Sequence, residues 1–110
     1  MKIRLMTTQS PPGRSTFRYI HADTVESGGD PYALLLPGDR QQASVMLDPN
    51  SGLARIEFTL SNLADIEEDT AIWHNWPLGS VDTAVVDAVM TPVTALRCVA
   101  QVSARWEVVA

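Results

Sequence analysis

Between Gln42 and Leu60 polar and apolar side chains alternate in two arms. In the second arm Ala54, Ile56, Phe58 and Leu60 alternate with Leu53, Arg55, Glu57 and Thr59, the period-two pattern of a strand with one buried face. The first arm sets Ala43, Val45 and Leu47 against Gln42, Ser44 and Met46. Asp48-Pro49-Asn50-Ser51-Gly52 lies between them. Proline presets φ for the second position of a turn, and glycine takes positive φ at its exit. The stretch predicts a β-hairpin with a five-residue loop.

The same pattern recurs along the chain. Ile3 and Leu5 alternate with Lys2 and Arg4, predicting a short first strand that Pro11-Pro12-Gly13 breaks. Residues 1–13 then read as a flexible N-terminal arm. Thr16 to Ile20 is rich in β-formers and predicts a second strand, followed by a loop around Gly28-Gly29-Asp30. Tyr32 to Leu36 is an apolar run of strand length, closed by Pro37-Gly38. Asn62 can cap one or two helical turns holding Leu63, Asp65 and Ile66. Ser80 to Met90 fits helix and strand periods alike. Its β-branched content and Pro92 favour extended or irregular backbone. Val93–Val99 and Ala104–Val109 predict two closing strands, the last burying Trp106 and Val108 and wetting Arg105 and Glu107. Isolated sheets of this size must bury a face. The fold expected is therefore all-β: one compact β-sandwich or jelly-roll-like domain over residues 1–110, with at most one short helix.

Composition narrows the partners. A chain of 110 residues suffices for one core. With a net charge of −5 and a pI near 4.7, it is repelled by phosphate backbones and anionic membranes. No nucleic-acid or membrane partner is expected. No signal-peptide pattern opens the chain, and no run reaches the roughly 18 apolar residues of a membrane span. Cys98 is the only cysteine, so no intrachain disulfide forms.

Candidate chemistry is sparse. His21 and Asp23 stand two apart, on one side of a strand, the spacing of an acid–base pair. No nucleophile motif accompanies them, so a core role for His21 is the plainer reading and a small hydrolase the sharper one. His21, Asp23, His74 and Cys98 are too scattered for a metal centre. The acids Asp65, Glu67, Glu68 and Asp69 lack calcium-loop spacing, and no glycine-rich phosphate cradle precedes a helix. The expectation is a non-enzyme with no cofactor and no metal. The most unusual stretch is Trp73-His74-Asn75-Trp76-Pro77. Its indoles suit the core, a protein interface, or stacking on a sugar ring in a host-recognition module. Arg97, among apolar neighbours, reads as an ion-pair partner or an interface anchor.

The second half carries an ordered pattern: Thr59-Leu60-Ser61, Ala71-Ile72-Trp73 with Trp76 and Gly79, Pro92-Val93-Thr94-Ala95-Leu96-Arg97, and Trp106-Glu107-Val108. Over roughly residues 53–110 it resembles small virion-associated structural proteins of tailed bacteriophages and prophages. The spaced tryptophans and the Pro92–Arg97 run are its most specific parts. The resemblance implies a particle component without catalytic residues, foremost a head decoration or cement protein. Its partners would be the major capsid protein or other virion proteins, and it would act as a homo-oligomer, dimer or trimer. A tail or neck position, or a carbohydrate-recognition role for Trp73 and Trp76, is the alternative. Interface residues expected on this reading are Trp73, Trp76, Arg97, Pro11 and Pro12. The two prolines would let the arm swing out and add a strand to a neighbour.

Overall fold

A computed structural model describes residues 1–10, 18–40, 42–89 and 93–110. In chain order its elements are β1 (Lys2–Leu5), β2 (Thr7–Gln9), β3 (Arg18–Glu26), β4 (Tyr32–Leu35), β5 (Ala43–Ser51), β6 (Ala54–Thr59), α1 (Leu63–Glu67), β7 (Trp73–Asn75), β8 (Val85–Val89), β9 (Ala95–Ala100) and β10 (Ser103–Val109). The strands form two five-stranded sheets, β1-β4-β9-β6-β7 and β2-β3-β10-β5-β8. The all-β sandwich expected from the alternation is the fold observed. Pairing is antiparallel except where β1 runs parallel to β4.

The core lies between the sheets. Ala43, Val45 and Leu47 of β5 meet Ala54, Ile56 and Phe58 of β6, with Leu34, Leu96, Trp106 and Val108 completing the layer. Those inward faces are the alternations read from the sequence, and Trp106 and Val108 are fully enclosed.

The connection between β5 and β6 corrects the hairpin. Both arms are strands, but they do not pair with one another. β5 lies between β10 and β8 in the second sheet, and β6 between β9 and β7 in the first. The chain arches across the sandwich at Gly52, which takes φ +72°. Asp48 and Pro49 belong to β5, paired with Arg105 and Ala104, and the register slips just beyond, where Ser103 faces Ser51. The physical reason is reach. β5 gains a seven-residue register with β10 and β6 a six-residue one with β9, while the two apolar faces still meet across the core. β9 and β10 make a second arch beside the first, and Gln101 ties them together: its N–H donates to the Leu53 carbonyl at 2.8 Å, and its Oε1 accepts from the Leu53 N–H at 3.1 Å.

Residues 2–9, the segment expected as an arm, lie in both sheets: β1 edges the first and β2 the second, with Met6 between them in the core. Pro11, Pro12, Gly13, Thr16 and Pro92 lie outside the described residues. The helix starts as its cap predicts, Asn62 Oδ1 accepting the Asp65 N–H at 2.9 Å. Ile66 is buried, but Leu63, three residues before it, is exposed. In the stretch that fits both periods, Val81 bridges to Ala54, residues 82–84 are irregular and β8 follows over Val85–Val89, while Met90 lies outside the described residues. Among the described residues no helix is long and apolar enough to cross a membrane.

Candidate functional site

The outer face of the first sheet is the most differentiated surface. Alternation sends Arg55, Glu57 and Thr59 of β6 outward, while their neighbours enter the core. The β6–β9 register sets Glu57 opposite Arg97, and on the other side Thr59 opposite Trp73 and Glu57 opposite Asn75. Among the described residues Glu57 is one of two buried polar ones. Its Oε1 accepts from Arg97 Nε at 2.6 Å, and its Oε2 from Arg55 Nε at 2.9 Å. Burial pushes the Glu57 carboxyl up, but the hydrogen bonds and charges of the two guanidinium groups outweigh it and hold the group below the usual carboxylate range. Arg97 also lies over the Trp73 ring, its Cζ 4.3 Å from the ring centroid. It is therefore an ion-pair partner within the fold and a lid on an indole.

α1 covers the neighbouring part of this face. Ile66 seals Ala33 and Ala95, with Met1, Ile3, Ala71 and Trp73 packed around them. The return from α1 to β7 is fixed by Thr59, whose hydroxyl donates to the Ile72 carbonyl at 2.8 Å, and by Ser61, whose Oγ accepts the Ile72 N–H at 3.1 Å. These bonds set residues 59–61 beside residue 72. Leu60, Leu63 and Ile72 consequently share one end of the molecule, exposed by 62%, 44% and 66%.

The two tryptophans of the unusual stretch do not form a platform. Trp73 faces the outer cluster beneath Arg97, whereas Trp76 packs against the main core, edge-on to Phe58 at 5.6 Å. The Trp76 Nε1–H donates to Asp87 Oδ2 at 2.5 Å. That bond, with one from the Ala88 N–H, holds the Asp87 carboxyl below its usual value. The apolar cavity beside Trp76, lined by Leu47, Ile56, Val81 and Val85, offers about 20 Å³, room for one water. A larger groove of about 280 Å³ opens elsewhere, between Leu36, Pro37, Arg40, Val89 and Val93.

His21 and Asp23 do lie on one side of β3, and that side is the interior. They meet through Tyr32 of β4. The Tyr32 hydroxyl lies 2.8 Å from His21 Nε2, donates to Asp23 Oδ2 at 2.8 Å, and accepts the Trp106 Nε1–H at 3.1 Å. With its one proton given to an ionised Asp23, the hydroxyl can only accept from His21, which assigns the imidazole as its Nε2–H tautomer. Arg4 reaches across from β1 to Asp23 Oδ2 at 3.2 Å and lies over the Tyr32 ring at 4.3 Å. Burial and the bond to Asp23 raise the Tyr32 hydroxyl well above an ordinary phenol. Burial pushes the Cys98 thiol up to about 12, helped by the charge of Asp23. His21, Tyr32, Asp23, Arg4 and Trp106 thus answer one another's polar groups.

Two of the five expected interface residues, Pro11 and Pro12, fall outside the described residues. Trp73 and Arg97 come together on the outer face, and Trp76 points the other way. The sequence reading missed a site role for Glu57, whose signal was its place two residues after Arg55 on the same face of an alternating strand. It also missed Tyr32, which reads only as an apolar strand residue until the sheets are stacked. Compared with family models, curated proteins and solved structures, the chain matches none.

Proposed function

We propose that this chain is a non-enzymatic structural protein of a tailed-bacteriophage particle, decorating or cementing the head shell through homo-oligomeric contacts. The observation that carries the reading is the exposure of Leu60 and Ile72, whose backbone segments the Thr59 and Ser61 side chains tie together, with Leu63 exposed at the start of α1. Exposed apolar side chains gathered at one place mark contact surfaces. Ile72 precedes Trp73, over which Arg97 lies, two residue types that anchor interfaces, and this whole region belongs to the segment that resembles virion proteins. A net charge of −5 suits a surface facing away from packaged DNA.

The test pairs light scattering of the purified chain with cosedimentation against shells of the encoding phage. A discrete dimer or trimer that pellets with heads and not with tails is the expected result. A Leu60→Ser, Leu63→Ser, Ile72→Ser variant should keep its circular dichroism and lose pelleting. A monomer that ignores heads would overturn the reading and leave the tail or host-recognition role. The glycan version of that role gains little from the geometry, because the two indoles face opposite sides of the first sheet.

A further inference from the structure

The first strand pair, β1 and β2, is joined to the rest of the sandwich by short ladders. β1 has a four-residue parallel register with β4, and β2 a three-residue register with β3. β3, by contrast, holds seven residues of β10. One side chain of β1 crosses to the opposite sheet: Arg4, which is 44% exposed, bonds Asp23 and stacks on Tyr32. His21 stands in the same cluster, edge-on to Trp106 at 5.3 Å and bonded to the hydroxyl that Arg4 covers.

We propose that His21, Tyr32, Asp23 and Arg4 form a pH-sensitive latch that holds residues 2–9 on the sandwich at neutral pH and releases them on mild acidification. The groups around His21 are Asp23 on its own strand, Arg4 on β1, the Tyr32 hydroxyl on β4 and the uncharged Trp106 indole on β10, with the Cys98 thiol of β9 within reach of the Asp23 charge. At neutral pH the cluster holds one cation, Arg4, and one anion, Asp23. A proton taken up at His21 Nδ1 adds a second cation against the same single carboxylate. His21 is fixed by the seven-residue ladder of β3 with β10, where it faces Val108, while Arg4 sits on an edge strand near water. Arg4 is the group that leaves, and β1 leaves with it. The imidazole is already disfavoured as a cation by burial; Asp23 opposes this, and Arg4 adds a smaller push on the side of burial. Opening removes Arg4 and admits water, so the open form takes the proton more readily and acid favours opening. The inference is independent of the assembly role and stands or falls separately.

Hydrogen exchange of the full chain, corrected for intrinsic rates, tests it between about pH 7.5 and about pH 5, where ordinary carboxylates stay ionised. Residues 2–9 should exchange through an opening easier than that of β10. Their protection should fall by up to about tenfold per pH unit below about 6.5. His21→Gln keeps an N–H donor toward Tyr32 and should abolish this pH dependence, whereas His74→Gln should leave it intact. Arg4→Gln should lower protection of residues 2–9 already at neutral pH and flatten its response to acid. Three results would overturn the latch: protection of residues 2–9 that does not change with pH, exchange of those residues only together with β10, or a pH dependence that survives His21→Gln.

Discussion

Glu57 shows how one residue is held by its environment. A carboxylate buried in a sheet face is unfavourable unless its oxygens are answered by charged donors, and here each oxygen receives one guanidinium. Because the folded carboxyl titrates below its unfolded value, it contributes stability that is complete above about pH 4.3. That contribution is lost as pH falls through the lowered folded value. Glu57→Gln should therefore cost about 1–2 kcal/mol at neutral pH, less than a fully enclosed pair because Arg55 remains partly wet. The acid limb of its stability curve, followed by urea unfolding at successive pH values, should also be shallower than that of the parent chain.

At the scale of elements, the two arches decide which strands become neighbours. Gly52 takes a backbone conformation that side chains resist, and a Cβ there would stand 2.9 Å from Gln101 Oε1 and 3.1 Å from Val102 Cγ2. The glutamine tip can swing aside, but only by giving up its bond to the Leu53 N–H. Gly52→Ala should cost about 1–3 kcal/mol, combining backbone strain with the lost tie between arches. Gly28→Ala, where a Cβ meets nothing within 4 Å, should shift the urea midpoint little. Equal effects at the two glycines would remove the arch from the account.

For the whole molecule the relevant balance is between one interior histidine and the solvent. The folded chain keeps His21 neutral more strongly than the unfolded chain does. Between its lowered folded value and about pH 6.5 the unfolded state binds more protons. Global stability should therefore be complete above that upper value and decline as pH falls toward the folded value. A urea midpoint lower at about pH 5.5 than at about pH 7.5 in the parent chain, but not in His21→Gln, is the expected outcome. At this scale, too, Leu60, Leu63 and Ile72 are exposed on or next to α1, whereas Leu5, Leu53, Leu78, Val86, Val102 and Val109 are exposed elsewhere on the described surface. The assembly experiment begins with the first three because their segments are tied together.

What the sequence by itself determined is most of the longer strands and their inward faces. β2 and β7, three residues each, were not legible, and β3 runs over Arg18–Glu26, beyond the strand expected up to Ile20. Alternation is a local property: Ala43, Val45 and Leu47, or Trp106 and Val108, face one side whatever the strand later pairs with. The Asn62 cap was legible for the same reason, since donor and acceptor lie three residues apart. The sequence also placed His21 and Asp23 on one side of a strand, because their spacing requires it. Only the tertiary structure decided that the chain arches at Gly52 rather than turning back as a hairpin. Both arrangements bury the same side chains, and the choice depends on longer ladders with strands far along the chain. It alone brought Tyr32 between His21 and Asp23, and Arg97 onto both Glu57 and Trp73. Those contacts join residues 9 to 40 positions apart, and cross-strand register leaves no local trace in the amino-acid order.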